Sequence, residues 1–180
     1  MVFGLFRRNK PVASVNAVYG DIVAASRSAQ LYRDLGVPDT VMGRFEALTL
    51  HAALMLSHLK TLPPPADSLA QELVDRVFSE LDAALREVGI GDVSVPKKIK
   101  KLAQAFYGRA QAYENALAPE APALQLEESL ARNVLERGDQ PGLATVLAQH
   151  VRHLAAHLAA QSLDDIVAGR ALQSALGSAQ

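Results

Sequence analysis

"DTVMGRFEALTLHAALMLSHLKTL", residues 39 to 62, decides the fold. At ~100° per residue, Phe45, Leu48, Ala52, Met55, Leu59 and Leu62 share one face of a helix, while Leu50, Leu54 and Leu56 lie on others. A helix apolar on several sides has no wet face to offer, so the pattern predicts a buried central helix with the rest of the chain packed around it. Asp39 precedes it as an N-cap, and "PPP" at 63 to 65 stops it. Its longest apolar run, residues 47 to 56, is far shorter than the ~20 residues a bilayer requires, and His51 interrupts it.

Outward from this helix, Gly and Pro punctuate a series of helical periods, and no stretch alternates like a half-buried strand. A first helix is expected over about 12 to 34, ending at Gly36 and Pro38. After the prolines, Ser68 and Gln71 read as a capping box. It opens a helix whose inward stripe is Leu69, Leu73, Val77, Leu81 and Leu85, closed by Gly89. Ser94 caps a helix over about 95 to 117, with Pro96 in its first turn. Further helices are expected over about 123 to 137, 142 to 161 and, after the cap Ser162, 163 to 176. The fold class is therefore all-α: one compact domain of about seven helices over residues 12–180, preceded by a flexible segment, 1–11.

The bulk properties fit this reading. A chain of 180 residues can bury roughly 70% of its unfolded surface in one core. With 49% hydrophobic residues, 21% charged residues and a net charge of -1, it is an ordinary globular composition, so any basic site must be local. The absence of cysteine excludes disulfides, thiol catalysis and Cys-type zinc sites. The start, "MVFGLFRRNK", places its apolar run before its charges, the reverse of a secretory signal. Its mixture of Phe3, Leu5 and Phe6 with Arg7, Arg8 and Lys10 could rest shallowly on anionic lipid, although a frayed, functionless terminus is the favoured reading.

One local basic site stands out. In "DVSVPKKIKKLAQAFYGR", residues 92 to 109, Lys97, Lys98, Lys100 and Lys101 crowd the first two turns of a helix, where the macrodipole disfavours positive charge. Val95, Ile99, Leu102, Phe106, Ala110, Tyr113 and Leu117 form the core stripe of that helix, and the lysines project away from it. Lys98 and Arg109 flank one edge of the stripe; Tyr107 and Gly108 lie on the exposed side. Neutralisation by Asp82, Glu87 and Asp92 would make this a solvated face. Otherwise it is a surface for an acidic partner: phospholipid headgroups, RNA phosphates or an acidic protein segment.

Signatures of catalysis are missing, with no P-loop, no GxGxxG after a strand and no GxSxG elbow. His150, His153 and His157 share one side of a helix, yet no HExxH accompanies them, and they sit at the margin of a Leu143, Leu147, Leu154 and Leu158 stripe. Ordinary packing is the expected role, with no metal and no cofactor.

Three segments carry a resemblance. "LYRDLGVPDTVMGRFEALTLH" (31 to 51), "LREVGIGDVSVPKKIKKLAQAFYGRAQAY" (85 to 113) and "LARNVL" (130 to 135) closely resemble the ubiquinol-cytochrome c chaperone family, helical assembly factors for cytochrome b of the bc1 complex. The likeness spans about residues 12 to 137, and its departures, Val88, Ile90 and Leu102, stay apolar. It implies a non-enzymatic chaperone that binds newly made cytochrome b. Mitochondrial relatives also work with a small partner subunit and contact the ribosome near its exit site.

Lacking an Arg- and Ser-rich presequence, this chain is expected to be a bacterial relative, peripheral on the cytoplasmic face of the inner membrane. Under the resemblance, Lys97, Lys98, Lys100, Lys101, Tyr107, Arg109 and Tyr113 become the surface that meets cytochrome b or the adjacent anionic lipid. The rival expectation is a helical adaptor using the same surface to bind anionic lipid or ribosomal RNA. Arg44 and Glu46 are expected to be structural, with Arg44 paired to an acid from a neighbouring helix.

Overall fold

A computed structural model describes residues 10–135 and 141–177. The described residues form nine helices and no strand: α1 (Lys10–Ser26), α2 (Ala29–Arg33), α3 (Val41–Leu59), α4 (Ala66–Glu87), α5 (Val95–Leu117), α6 (Gln125–Asn133), α7 (Pro141–Ala159), α8 (Leu163–Val167) and α9 (Ala171–Gly177). The expected flexible segment, 1–11, lies almost wholly outside the described residues, and α1 begins at its tenth residue.

The all-round apolar helix is central. α3 packs against α1, α4, α5 and α7, and from Phe45 to Leu59 only Leu48 and Ser57 are not fully buried. Thr40, not Asp39, caps it: Thr40 Oγ1 accepts from the Gly43 amide at 3.0 Å. Two adjacent residues were each able to cap, and Asp39 is occupied instead by the Arg44 guanidinium at 2.8 Å. Arg44 thus pairs with the residue just before its own helix rather than with a neighbouring one.

Two of the seven expected helices are each split. The first breaks after Ser26, where no Gly or Pro marks the sequence. Side chains support the break: the Tyr32 hydroxyl donates to the Ser26 carbonyl at 2.6 Å, and Ser26 Oγ donates at 3.0 Å to the Val23 carbonyl, which also accepts from the Arg27 amide. The last breaks at Gly169, whose φ of 71° lies in the left-handed region and whose bare Cα faces the Ala17 carbonyl of α1. Just beyond, buried Asp21 of α1 accepts from the amides of Leu172 at 2.8 Å and Gln173 at 3.1 Å, so a carboxylate distant in sequence caps α9.

Smaller differences are local. α4 starts at Ala66, two residues ahead of Ser68, because Ala66 itself is buried, and the Ser68 capping box does not form. α6 runs from Gln125 to Asn133, shorter than expected at both ends. Ser162 does cap α8, in a reciprocal capping box with Asp165.

α4 and α5 form an antiparallel pair whose inner halves belong to the core. Leu69, Leu73 and Val77 of α4 and Phe106, Tyr113 and Ala116 of α5 are buried. Towards the connecting turn the stripe thins, and Leu81, Leu85, Ile99 and Leu102 are only half-buried. The end of this hairpin is therefore peripheral. It carries the first turns of α5.

Candidate functional site: the basic face of helix α5

Val95, buried at the N1 position, anchors the start of α5, followed by Pro96, whose missing amide has no helical partner to lose there. Ser94 occupies the N-cap position, but its side chain makes no capping bond. Nothing local therefore compensates the lysines that follow. Lys97, Lys98, Lys100 and Lys101 are all exposed, and none forms a salt bridge with any described residue.

Of the three acids that could have neutralised them, Asp82 and Asp92 are engaged by Arg86, and exposed Glu87 makes no salt bridge to the lysines. Arg86 draws Asp82 at 2.6 Å and also holds Asp92. A helix start bearing four unpaired ammonium groups is less stable than a neutral one by roughly 0.3–1 kcal/mol for each charge in the first turn.

Apolar surface adjoins the charge. In the α4–α5 turn Val93 is 96% exposed and Val88 71% exposed, an unusual condition for two β-branched side chains so close together. The spacing of the sequence gave no sign of this. The available signal was the presence of valines in a short turn that also holds Gly89, Gly91 and Asp92.

Further along α5, Tyr107 is 54% exposed and leans on an aromatic cluster: its ring centroid lies 5.6 Å from that of Phe106 and 6.0 Å from that of Phe78. Beside it, a Cβ on Gly108 would meet no described atom within 4 Å, so this glycine does not serve close helix packing within the chain. Gly108→Ala is therefore expected to raise stability by about 0.8 kcal/mol, through helix propensity alone. Chemical denaturation followed by circular dichroism checks this, and a loss of stability would mean that the position is packed.

Two of the seven expected contact residues do not belong to the free surface. Tyr113 is buried at 1% exposure, because its place on the core stripe outweighs its polar tip. Burial raises the pKa of its phenol, and the nearby Glu46 carboxylate acts in the same direction. Arg109 reaches inward, and its Nε donates to the carboxylate of Glu46, a side chain only 1% exposed; it also reaches the Ala105 carbonyl at 3.3 Å. A buried carboxylate needs a compensating cation, and Arg109 supplies it, joining α5 to α3. The site that remains consists of the four lysines, Tyr107 and the exposed valines.

Of the histidines, His153 is exposed and the others are at least partly buried. His157 Nε2 lies 3.0 Å from Ser174 Oγ, His58 Nε2 donates to the Gln161 carbonyl at 2.9 Å, and His150 is half-buried. Among the described residues, no three His, Asp or Glu side chains gather as metal ligands.

The described residues are an all-α chain with a buried central helix and a basic hairpin end, and its class follows from likeness to known proteins. The family model for the ubiquinol-cytochrome C chaperone matches residues 33–174. The chain belongs to this family, whose role is as a chaperone in assembly of the ubiquinol-cytochrome c reductase complex. Among solved structures, the Cbp3 homolog from Brucella abortus is similar, with a TM-score of 0.78 and 42% identity, the match covering 92% of each chain. No curated protein matches the sequence.

Proposed function

We propose that this chaperone is a non-enzymatic assembly factor that binds newly synthesised cytochrome b, and that Lys97, Lys98, Lys100 and Lys101 with Tyr107 form its client-facing surface. Family membership and the likeness to a Cbp3 homolog support the client. The observation that carries the surface is the set of four exposed lysines without a carboxylate partner among the described residues. Lysine stems cover apolar surface while their heads find acids, a combination suited to holding a polypeptide without chemistry.

No described helix is long and apolar enough to cross a membrane. Exposed Val88 and Val93 beside the lysines favour a second use of the same hairpin end, resting on anionic lipid at the cytoplasmic face of a bacterial inner membrane.

Charge reversal separates function from fold. The quadruple Lys→Glu variant at 97, 98, 100 and 101 is expected to unfold at the same or higher denaturant concentration, since acids suit a helix start. In cells it should recover at least fivefold less cytochrome b on affinity purification. Undiminished recovery by a folded variant would reject the surface. For the lipid use, Val88→Ser/Val93→Ser should weaken co-sedimentation with phosphatidylglycerol vesicles while leaving cytochrome b recovery in place.

A further inference from the structure

Away from the lysines, three arginines from three separate segments meet at one cleft. Arg27 follows α1, Arg33 ends α2 and Arg44 lies in the first turns of α3. With Ala29, Tyr32 and Asp39 they line a concavity of about 310 Å³. Its parts are held in place. The Tyr32 hydroxyl is fixed on the Ser26 carbonyl, and Arg44 is oriented by Asp39, with its guanidinium carbon 6.0 Å from the Tyr32 ring centroid. Burial raises the pKa of the Tyr32 phenol; Arg44 and Arg27 act against that rise and Asp39 with it.

The charge is unbalanced. Arg27 and Arg33 have no carboxylate partner among the described residues, and the one acid of the cleft, Asp39, is already engaged by Arg44. Like charges converging on a concave surface repel one another, and an anion between them removes that repulsion. Guanidinium groups approaching from three segments suit a tetrahedral oxyanion, which offers acceptors in several directions, better than a planar carboxylate. Each fork can then donate two parallel bonds.

We infer that the cleft lined by Arg27, Arg33 and Arg44 binds a phosphate group, carried either by a small soluble phosphate ester or by a phospholipid headgroup. Such a site is independent of the lysine surface and of the identity of the client.

Two arms of one experiment test it. Backbone and arginine Nε resonances are followed by NMR while the full chain is titrated with inorganic phosphate and then glycerol 3-phosphate, at constant ionic strength set with chloride. The expected result is saturable shifts concentrated in residues 27–44, with affinity reduced at least fivefold in Arg33→Gln and in Arg27→Gln. These exposed positions should leave the fold intact, as circular dichroism will verify. In the second arm, the wild type and both variants are sedimented with vesicles containing phosphatidic acid. Arginine-dependent sedimentation assigns the phosphate to a headgroup; arginine-dependent binding of the soluble ester alone assigns it to a soluble ligand. Absence of saturable shifts together with vesicle binding unchanged by the substitutions would overturn the inference, as would equal affinity of wild type and both variants for every probe.

Discussion

Arg109→Met is expected to lower the unfolding free energy by about 3 kcal/mol, the usual consequence of breaking the salt bridge of a buried charge. The Glu46 carboxylate is 1% exposed and receives the Arg109 Nε proton. Removing the guanidinium takes the Arg109 salt bridge away from a carboxylate that stays poorly hydrated, which is unfavourable at neutral pH. The methionine retains the apolar stem, so lost packing contributes little. The double variant Glu46→Gln/Arg109→Met, which removes the charge along with its partner, should recover at least half of the loss. Denaturant unfolding of the two single variants and the double measures this coupling directly. A single-variant effect below about 0.5 kcal/mol, the range of ordinary surface substitutions, would return Arg109 to the client-facing cations.

Acid should weaken the fold well before its carboxylates are protonated. His51, fully buried in α3, donates from Nδ1 to the Ala47 carbonyl at 2.7 Å, while its Nε2 has no hydrogen-bond partner among the described residues. Burial, opposed by that backbone bond and assisted by nearby His150, lowers its pKa to about 4. The unfolded chain protonates His51 near its ordinary value of about 6.5, whereas the folded chain resists until much lower pH. Its contribution is therefore complete above about pH 6.5 and is lost progressively as the pH falls towards about 4, a total on the order of 3 kcal/mol. The pKa of half-buried His150 is also lowered by burial, so its contribution is lost in the same direction.

Unfolding curves at pH 7.5, 6.0 and 5.0 for wild type and His51→Gln will isolate the effect. The variant should start less stable and lose less on acidification. Parallel pH dependence of the two proteins would mean that His51 is not buried neutral.

These two sites also mark where the sequence could and could not be read. The central helix was legible because apolar residues on every face leave only one environment for it. The lysines were legible because their position opposes the helix dipole, whatever surrounds them. Tyr113 carried its own warning, since the periodicity that built the core stripe included it, and the stripe prevailed. Arg109 carried none. Its role depends on Glu46, brought beside it only when α3 and α5 pack. Asp21 at the start of α9 and the arginine cleft are likewise products of long-range assembly, with no local spacing to announce them. The break after Ser26 escaped notice because side-chain hydrogen bonds, rather than Gly or Pro, make it possible.

The basic end of the α4–α5 hairpin is the part of this account on which the function rests, and proximity is the property to measure. A photoreactive amino acid placed at position 101, and separately at 107, in cells synthesising cytochrome b should yield a crosslink to that polypeptide, while the same probe at exposed Glu120, beyond the far end of α5, should not. Crosslinking from 120 and none from 101 or 107 would contradict the account and place the client on another face of the molecule.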